Sequence, residues 1–165
     1  MLDISSNSAL IFLPFCIPIA VWVAFNDMKF MKIPNLAVLC LMAIFLVVGL
    51  IALPLDVYLQ RCLQFVVILI IGFIANMLGF LGAGDAKFAA AMAPFVALAD
   101  VGTFLILFAI SLLAAFATHR LARKSIVVRN MAKDWESWNE SDFPMGLTLG
   151  SVLVFYLFLG VLYGT

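Results

Sequence analysis

Apolar runs long enough to cross a bilayer follow one another along nearly the whole chain, with only short polar segments between them. Of 165 residues, 67% are hydrophobic and 11% charged, against roughly 25% charged in an ordinary soluble domain. A water-soluble fold could not hide so much apolar surface. Lipid is therefore the solvent for most of the chain, and each segment must satisfy its own backbone hydrogen bonds, as helices do. At about 20 residues per span, the length allows an all-α, polytopic membrane protein of about six transmembrane helices. Residues 1–165 form one integral-membrane domain with no room for a separate soluble one.

The expected spans cover 9–25, 36–53 and 62–81, then a short fourth span ending at Ala99, a fifth ending near Thr118 and a sixth at 145–163. Residues 1–8 carry Asp3 and no Lys or Arg, so the first run is expected to stay as a span. The longest polar segment is 119–143, where Trp135, Trp138 and Phe143 among charges suggest a loop lying at the membrane interface. Lys29, Lys32, Lys87, Arg120, Arg123, Lys124, Arg129 and Lys133 fall in loops one, three and five, and Arg61 alone in the others. Basic residues concentrate on the cytoplasmic side. Both termini are thus expected outside, with the 119–143 loop inside.

The net charge is zero, which points to no nucleic-acid partner. Cys16, Cys40 and Cys62 sit in or beside apolar runs without metal-ligand spacing and read as small apolar residues; no metal or other cofactor is implied. Gly146-x-x-x-Gly150 and Gly160-x-x-x-Gly164 would let another helix approach the sixth span closely.

Most acidic residues, Asp3 and Asp100 among them, read as solvated groups. Asp27 and Asp85 stand apart because each lies where an apolar span meets a cytoplasmic loop, and a carboxylate beside hydrocarbon is costly. Gly82 and Gly84 precede Asp85, so the backbone there can turn sharply and admit another chain. Two carboxyls that share a proton can hydrolyse a peptide bond: the charged one activates water and the neutral one donates to the scissile carbonyl oxygen. His119 is the single histidine, and neither Gly-x-Ser-x-Gly nor His-Glu-x-x-His occurs, so serine and zinc hydrolases have no apparatus here. By helix ends alone, Asp27 closes a helix and Asp85 opens one, so Asp85, with Lys87 nearby, is the expected anion and Asp27 the expected acid.

Three stretches carry a family likeness: Asp27 followed by KFMKIPN, GAGDAK at 82–87, and FPMGLTLG at 143–150. They make the sequence resemble the type IV prepilin peptidases, a branch of the Gly-x-Gly-Asp intramembrane aspartyl proteases, and the short length resembles the enzymes of tight-adherence (Flp-type) pilus systems. The resemblance implies Asp27 and Asp85 as the catalytic pair, with Gly82, Gly84, Lys87, Pro34 and Asn35 as supporting or substrate-binding residues. It also implies a bacterial inner membrane, and prepilin or pseudopilin substrates cut on the cytoplasmic side after a leader that ends in glycine. Longer members methylate the new amino terminus and carry an extra cytoplasmic region with paired cysteines, a feature absent from these residues, so methylation is not expected. The alternative is a small ion- or proton-coupled carrier using the same two aspartates, which would be expected to place acids nearer mid-membrane and to show internal repeats.

Overall fold

The computed structural model describes residues 1–140 and 142–165, and among them there are seven α-helices and no strand. α1 (Ser6–Phe30), α2 (Asn35–Ala52), α3 (Leu55–Met77), α5 (Val101–Lys124) and α7 (Met145–Tyr163) are long and apolar enough to cross a membrane. α4 (Ala83–Met92) and α6 (Ile126–Met131) are not. The chain is a multi-pass, all-α membrane protein.

The expected fourth span is the main departure. It is a broken crossing: α4 gives way to a 3-10 turn at Ala93–Phe95, an extended pair, and a second 3-10 turn at Leu98–Asp100. At its start Gly84 packs beside Ile33, and at its end Asp100 accepts hydrogen bonds from the Asp3 and Ile4 N–H groups. The segment therefore runs from the α1–α2 loop to the amino terminus, the full depth of the bundle, and six traverses result. Pro94 explains why the helix cannot continue, since a proline lacks the N–H and clashes with the preceding turn. Irregular backbone at membrane depth is tolerated where protein buries it. Here Phe12, Phe45 and Phe95 pack ring on ring, at centroid distances of 5.0 to 6.1 Å, and Tyr58 stacks on Phe45 at 5.4 Å.

Two residues read as peripheral prove to be buried supports of that break. Arg61 donates to the carbonyls of Pro94 and Phe95 at 3.3 and 3.2 Å, capping oxygens that no helix satisfies. Asp100, 4% exposed, is not solvated as expected; it also accepts from the Tyr156 hydroxyl at 2.7 Å, while Ala97 N–H donates to that hydroxyl at 3.0 Å. Burying a carboxylate is costly unless its oxygens are bonded, and three donors meet that need. Other boundaries shift modestly: α3 begins before the expected 62 and α5 runs beyond 118, and in the loop that follows Trp138 is buried against His119.

α1 and α7 form the central antiparallel pair. A Cβ on Gly160 would meet Ala9 Cβ at 2.9 Å, one on Gly150 the Ala20 carbonyl oxygen at 2.8 Å, and one on Gly146 Asp27 Cβ at 2.8 Å. The small-residue face expected of the sixth span is therefore the seam with α1. The termini close the same end of the bundle: Leu2 N–H donates to the Tyr163 carbonyl and Ser6 N–H to the Thr165 carbonyl, each at 3.0 Å. Asp27 and Asp85 lie at the opposite end.

Gly150→Val should thus force α1 and α7 apart, because the obstacle is backbone and cannot rotate away. Overpacking of this kind costs about 1–3 kcal/mol, and thermal unfolding in detergent should show a clearly lowered midpoint. Gly102, beside which a Cβ meets nothing within 4 Å, supplies the control: Gly102→Ala should melt with the parent protein. Equal midpoints for Gly150→Val and the parent would contradict the seam.

Candidate active site at the loop end of the bundle

Asp27 sits in the last turn of α1, whose end is set by Met31 in the left-handed region (φ 50°) with its N–H donating to the Asp27 carbonyl at 2.9 Å. That reversal turns the chain toward Ile33-Pro34-Asn35. Pro34 was expected within the first turn of the next helix; it stands one place earlier, as the N-cap of α2, where its carbonyl accepts from Ala37 N–H at 3.0 Å. The Asp27 side chain is buried, 5% exposed.

Asp85 lies in the first turn of α4, as expected of an acid that opens a helix, with Gly82 as N-cap. The turn before it is tied down from α3: Asn76 Nδ2 donates to the Leu81 carbonyl at 2.8 Å, and Gly79 takes a positive φ of 77° that favours glycine. A Cβ on Gly82 would stand 2.5 Å from Asp85 Oδ2, so the glycine gives the carboxylate room to fold back over its own N-cap. A Cβ on Gly84 would meet Ile33 Cβ at 3.3 Å, so this glycine lets α4 press against the Ile-Pro-Asn turn. The two sequence stretches that flank the aspartates are thus in direct contact.

Lys87 finds its hydrogen-bond partner across the turn and not on Asp85. Its Nζ donates to Asn35 Oδ1 at 3.3 Å, joining α4 to the start of α2. All seven residues singled out in the sequence therefore gather at one end of the bundle: Asp27 and Asp85, Gly82 and Gly84, Pro34, and the Lys87–Asn35 pair.

One functional contact was missed. Gly146, the second residue of α7, donates its backbone N–H to Asp27 Oδ2 at 2.6 Å. The first N–H groups of a helix lack partners within it and carry the positive end of its dipole, so Asp27 faces the N-terminus of α7. The expected asymmetry, in which only Asp85 enjoys a helix N-terminus, disappears. FPMGLTLG held the signal, a proline and then a glycine at the start of an apolar run, but nothing in one dimension says which acid such an end will meet.

A hydrophobic groove opens beside this end. It has a volume of about 570 Å³ and lies between α3 and α5 over α4, with Asp85 and Met145 among the residues that line it. Asp27 does not line it. Among the described residues, no cluster of three His, Cys, Asp or Glu side chains could hold a metal ion.

No curated protein and no solved structure matches the chain. The family model of the type IV leader peptidases matches residues 14–118, a stretch that holds both aspartates, the Ile-Pro-Asn triplet and the Gly-x-Gly-Asp turn but stops short of Gly146. With well over half its length matched and both motif stretches inside the match, this chain belongs to the type IV leader peptidase family.

Proposed function

We propose that the protein is an intramembrane aspartyl endopeptidase of the short, Flp-type form, which removes the leaders of type IV prepilins or pseudopilins. Membership of a peptidase family supplies the reaction class. The observation that supports the aspartyl assignment is that Asp27 and Asp85, 58 positions apart in sequence, lie at one end of the bundle, where Gly84 packs beside Ile33 and Gly146 N–H holds the Asp27 carboxylate. The carrier alternative has no comparable support, since the acids lie at an end of the bundle instead of midway along it.

In the proposed reaction the pair holds a single proton. The charged carboxylate takes a proton from water as the water oxygen attacks the scissile carbonyl carbon, and the neutral carboxyl gives its proton to the carbonyl oxygen. Collapse of the resulting diol breaks the C–N bond, with a proton passed to the leaving amine. Because α7 presents an N-terminus to Asp27 and α4 presents one to Asp85, helix ends do not assign the proton to either member. The titration belongs to the pair.

We place the site on the cytoplasmic face of the bacterial inner membrane. The eight basic residues other than Arg61 gather toward the Asp27–Asp85 end: Lys29 in the last turn of α1, Lys32 in the loop after it, Lys87 in the first half of α4, and the other five from Arg120, near the end of α5, to Lys133; Arg61 itself is buried. The positive-inside bias then puts both termini outside.

Asp27→Asn and Asp85→Asn should each lower cleavage of a co-expressed prepilin by at least about a thousandfold, in the range seen when a triad member or an oxyanion donor is removed, while membrane insertion is unchanged. A gel shift of the prepilin reads this directly, and parental processing by either variant would refute the pair. Lys87→Met should leave the acidic limb of the pH–rate profile in place, because the ammonium is bonded to Asn35 and not to the pair; a displaced limb would show that Lys87 does act on Asp85. Single cysteines at 30 and 127 should be shielded from an impermeant thiol reagent added outside, and one at 57 should react. Outside labelling at 30 would invert the orientation.

A further inference from the structure

The groove between α3 and α5 has no occupant from the chain itself. Leu63 and Val67 on α3 and Leu105 and Phe108 on α5 form its walls, and Ala89 and Met92 of α4 its floor. At one end lies Asp85; at the other lie Gln60 and Leu98, close to where Asp100 holds the amino terminus. The packing of Gly72 on Ala86 sets α3 in register with the residue next to Asp85. From Gln60 to the level of Gly72 is twelve residues of helix, about 18 Å at 1.5 Å per residue. The groove therefore extends over more than half of a hydrocarbon core about 30 Å thick.

Two features say what kind of molecule belongs there. Asp85 lines the groove whereas Asp27 is buried under α7, so a chain lying in the groove reaches the carboxylate pair from its Asp85 side. Gln64, on the α3 wall about 12 Å from the Asp85 level by the same rise, has a buried Oε1 with no hydrogen-bond partner. An acyl chain has no donor to offer it. A peptide helix bearing a polar side chain does.

We propose that this groove seats the membrane segment of the substrate as a helix laid along α3, entering sideways from lipid, with its leader end at Asp85 and a hydrogen bond given to Gln64. The inference rests on the peptidase reading and specifies how that site receives its substrate. The segment crosses with its cleaved end at the loop end of the bundle, and its apolar side chains replace lipid against α3 and α5. The bond to Gln64 falls within about eight residues of the cut, the helical distance from Gln64 to the Gly72 level.

The test uses the full chain in membranes with a prepilin that has a basic leader ending in glycine and an apolar segment. A photo-reactive phenylalanine analogue is placed at Leu63 or Leu105 in the groove, or at Val47 on the exposed face of α2. Cross-links to the uncut prepilin are expected from Leu63 and Leu105 and not from Val47. Leu105→Trp, which fills the groove from its exposed wall, should raise KM with kcat retained. Gln64→Leu should raise KM about fivefold, the size of one net hydrogen bond, and Gln64→Asn should restore part of it. Cleavage by the parent enzyme combined with groove cross-links to lipid or to a second copy of this chain only, or with unchanged KM in the groove variants, would overturn the inference and leave the peptidase reading standing. Failure of the parent enzyme to cleave would overturn the peptidase reading, and the inference would fall with it.

Discussion

The close antiparallel packing of α1 against α7 is the contact on which the rest of the architecture depends. Three glycines of α7 meet Ala9, Ala20 and Asp27 at distances that leave no room for a Cβ. Lipid tails are as apolar as leucine, so helices in a membrane gain little by merely burying side chains; close backbone approach and its dispersion contacts take over that role. The seam also has a chemical consequence. It brings the Gly146 N–H at the start of α7 onto Asp27, from 119 positions away in the chain, and so converts a packing motif into an electrostatic one.

The broken fourth crossing is the second requirement, because it carries Asp85 to the same end. A full-length helix in its place would present a closed cylinder between α3 and α5. The short α4, followed by two 3-10 turns, leaves a groove instead. Backbone groups freed by the break are met by Arg61 and by Tyr156, and the Asp100 carboxylate ties the end of the break to Tyr156 and the amino terminus. A polar cluster at the terminal end of the bundle thus holds open the geometry used at the other end. Removal of one partner of such a cluster would leave buried charge uncompensated, which is why these groups act as a unit.

Six traverses, the candidate acids and the small-residue face were all legible in the sequence, since each rests on local signals: apolar length, carboxylates at span ends, glycines four apart. The connection between the Ile-Pro-Asn turn and the Gly-x-Gly-Asp turn was legible only as two separate likenesses to one family, and the structure joins them through Gly84 and Ile33. What could not be read is tertiary. Arg61 and Asp100 look like ordinary loop charges until the break that they satisfy is seen, and the partner of Lys87 depends on where α2 begins relative to α4. The surroundings of Asp27 were hidden for the same reason: it closes α1, but the helix end that its carboxylate meets belongs to α7.

The central claim is that Asp27 and Asp85 form one site. It is tested most directly by combining Asp27→Cys and Asp85→Cys in a chain whose Cys16, Cys40 and Cys62 have been replaced, and treating membranes with a short bifunctional thiol reagent. Mass spectrometry then distinguishes a single bridge that consumes both thiols from two separate adducts. The account predicts the bridge, and predicts none when Asp27→Cys is instead paired with Val57→Cys at the far end of the bundle. Two separate adducts at 27 and 85 under the same conditions would contradict it.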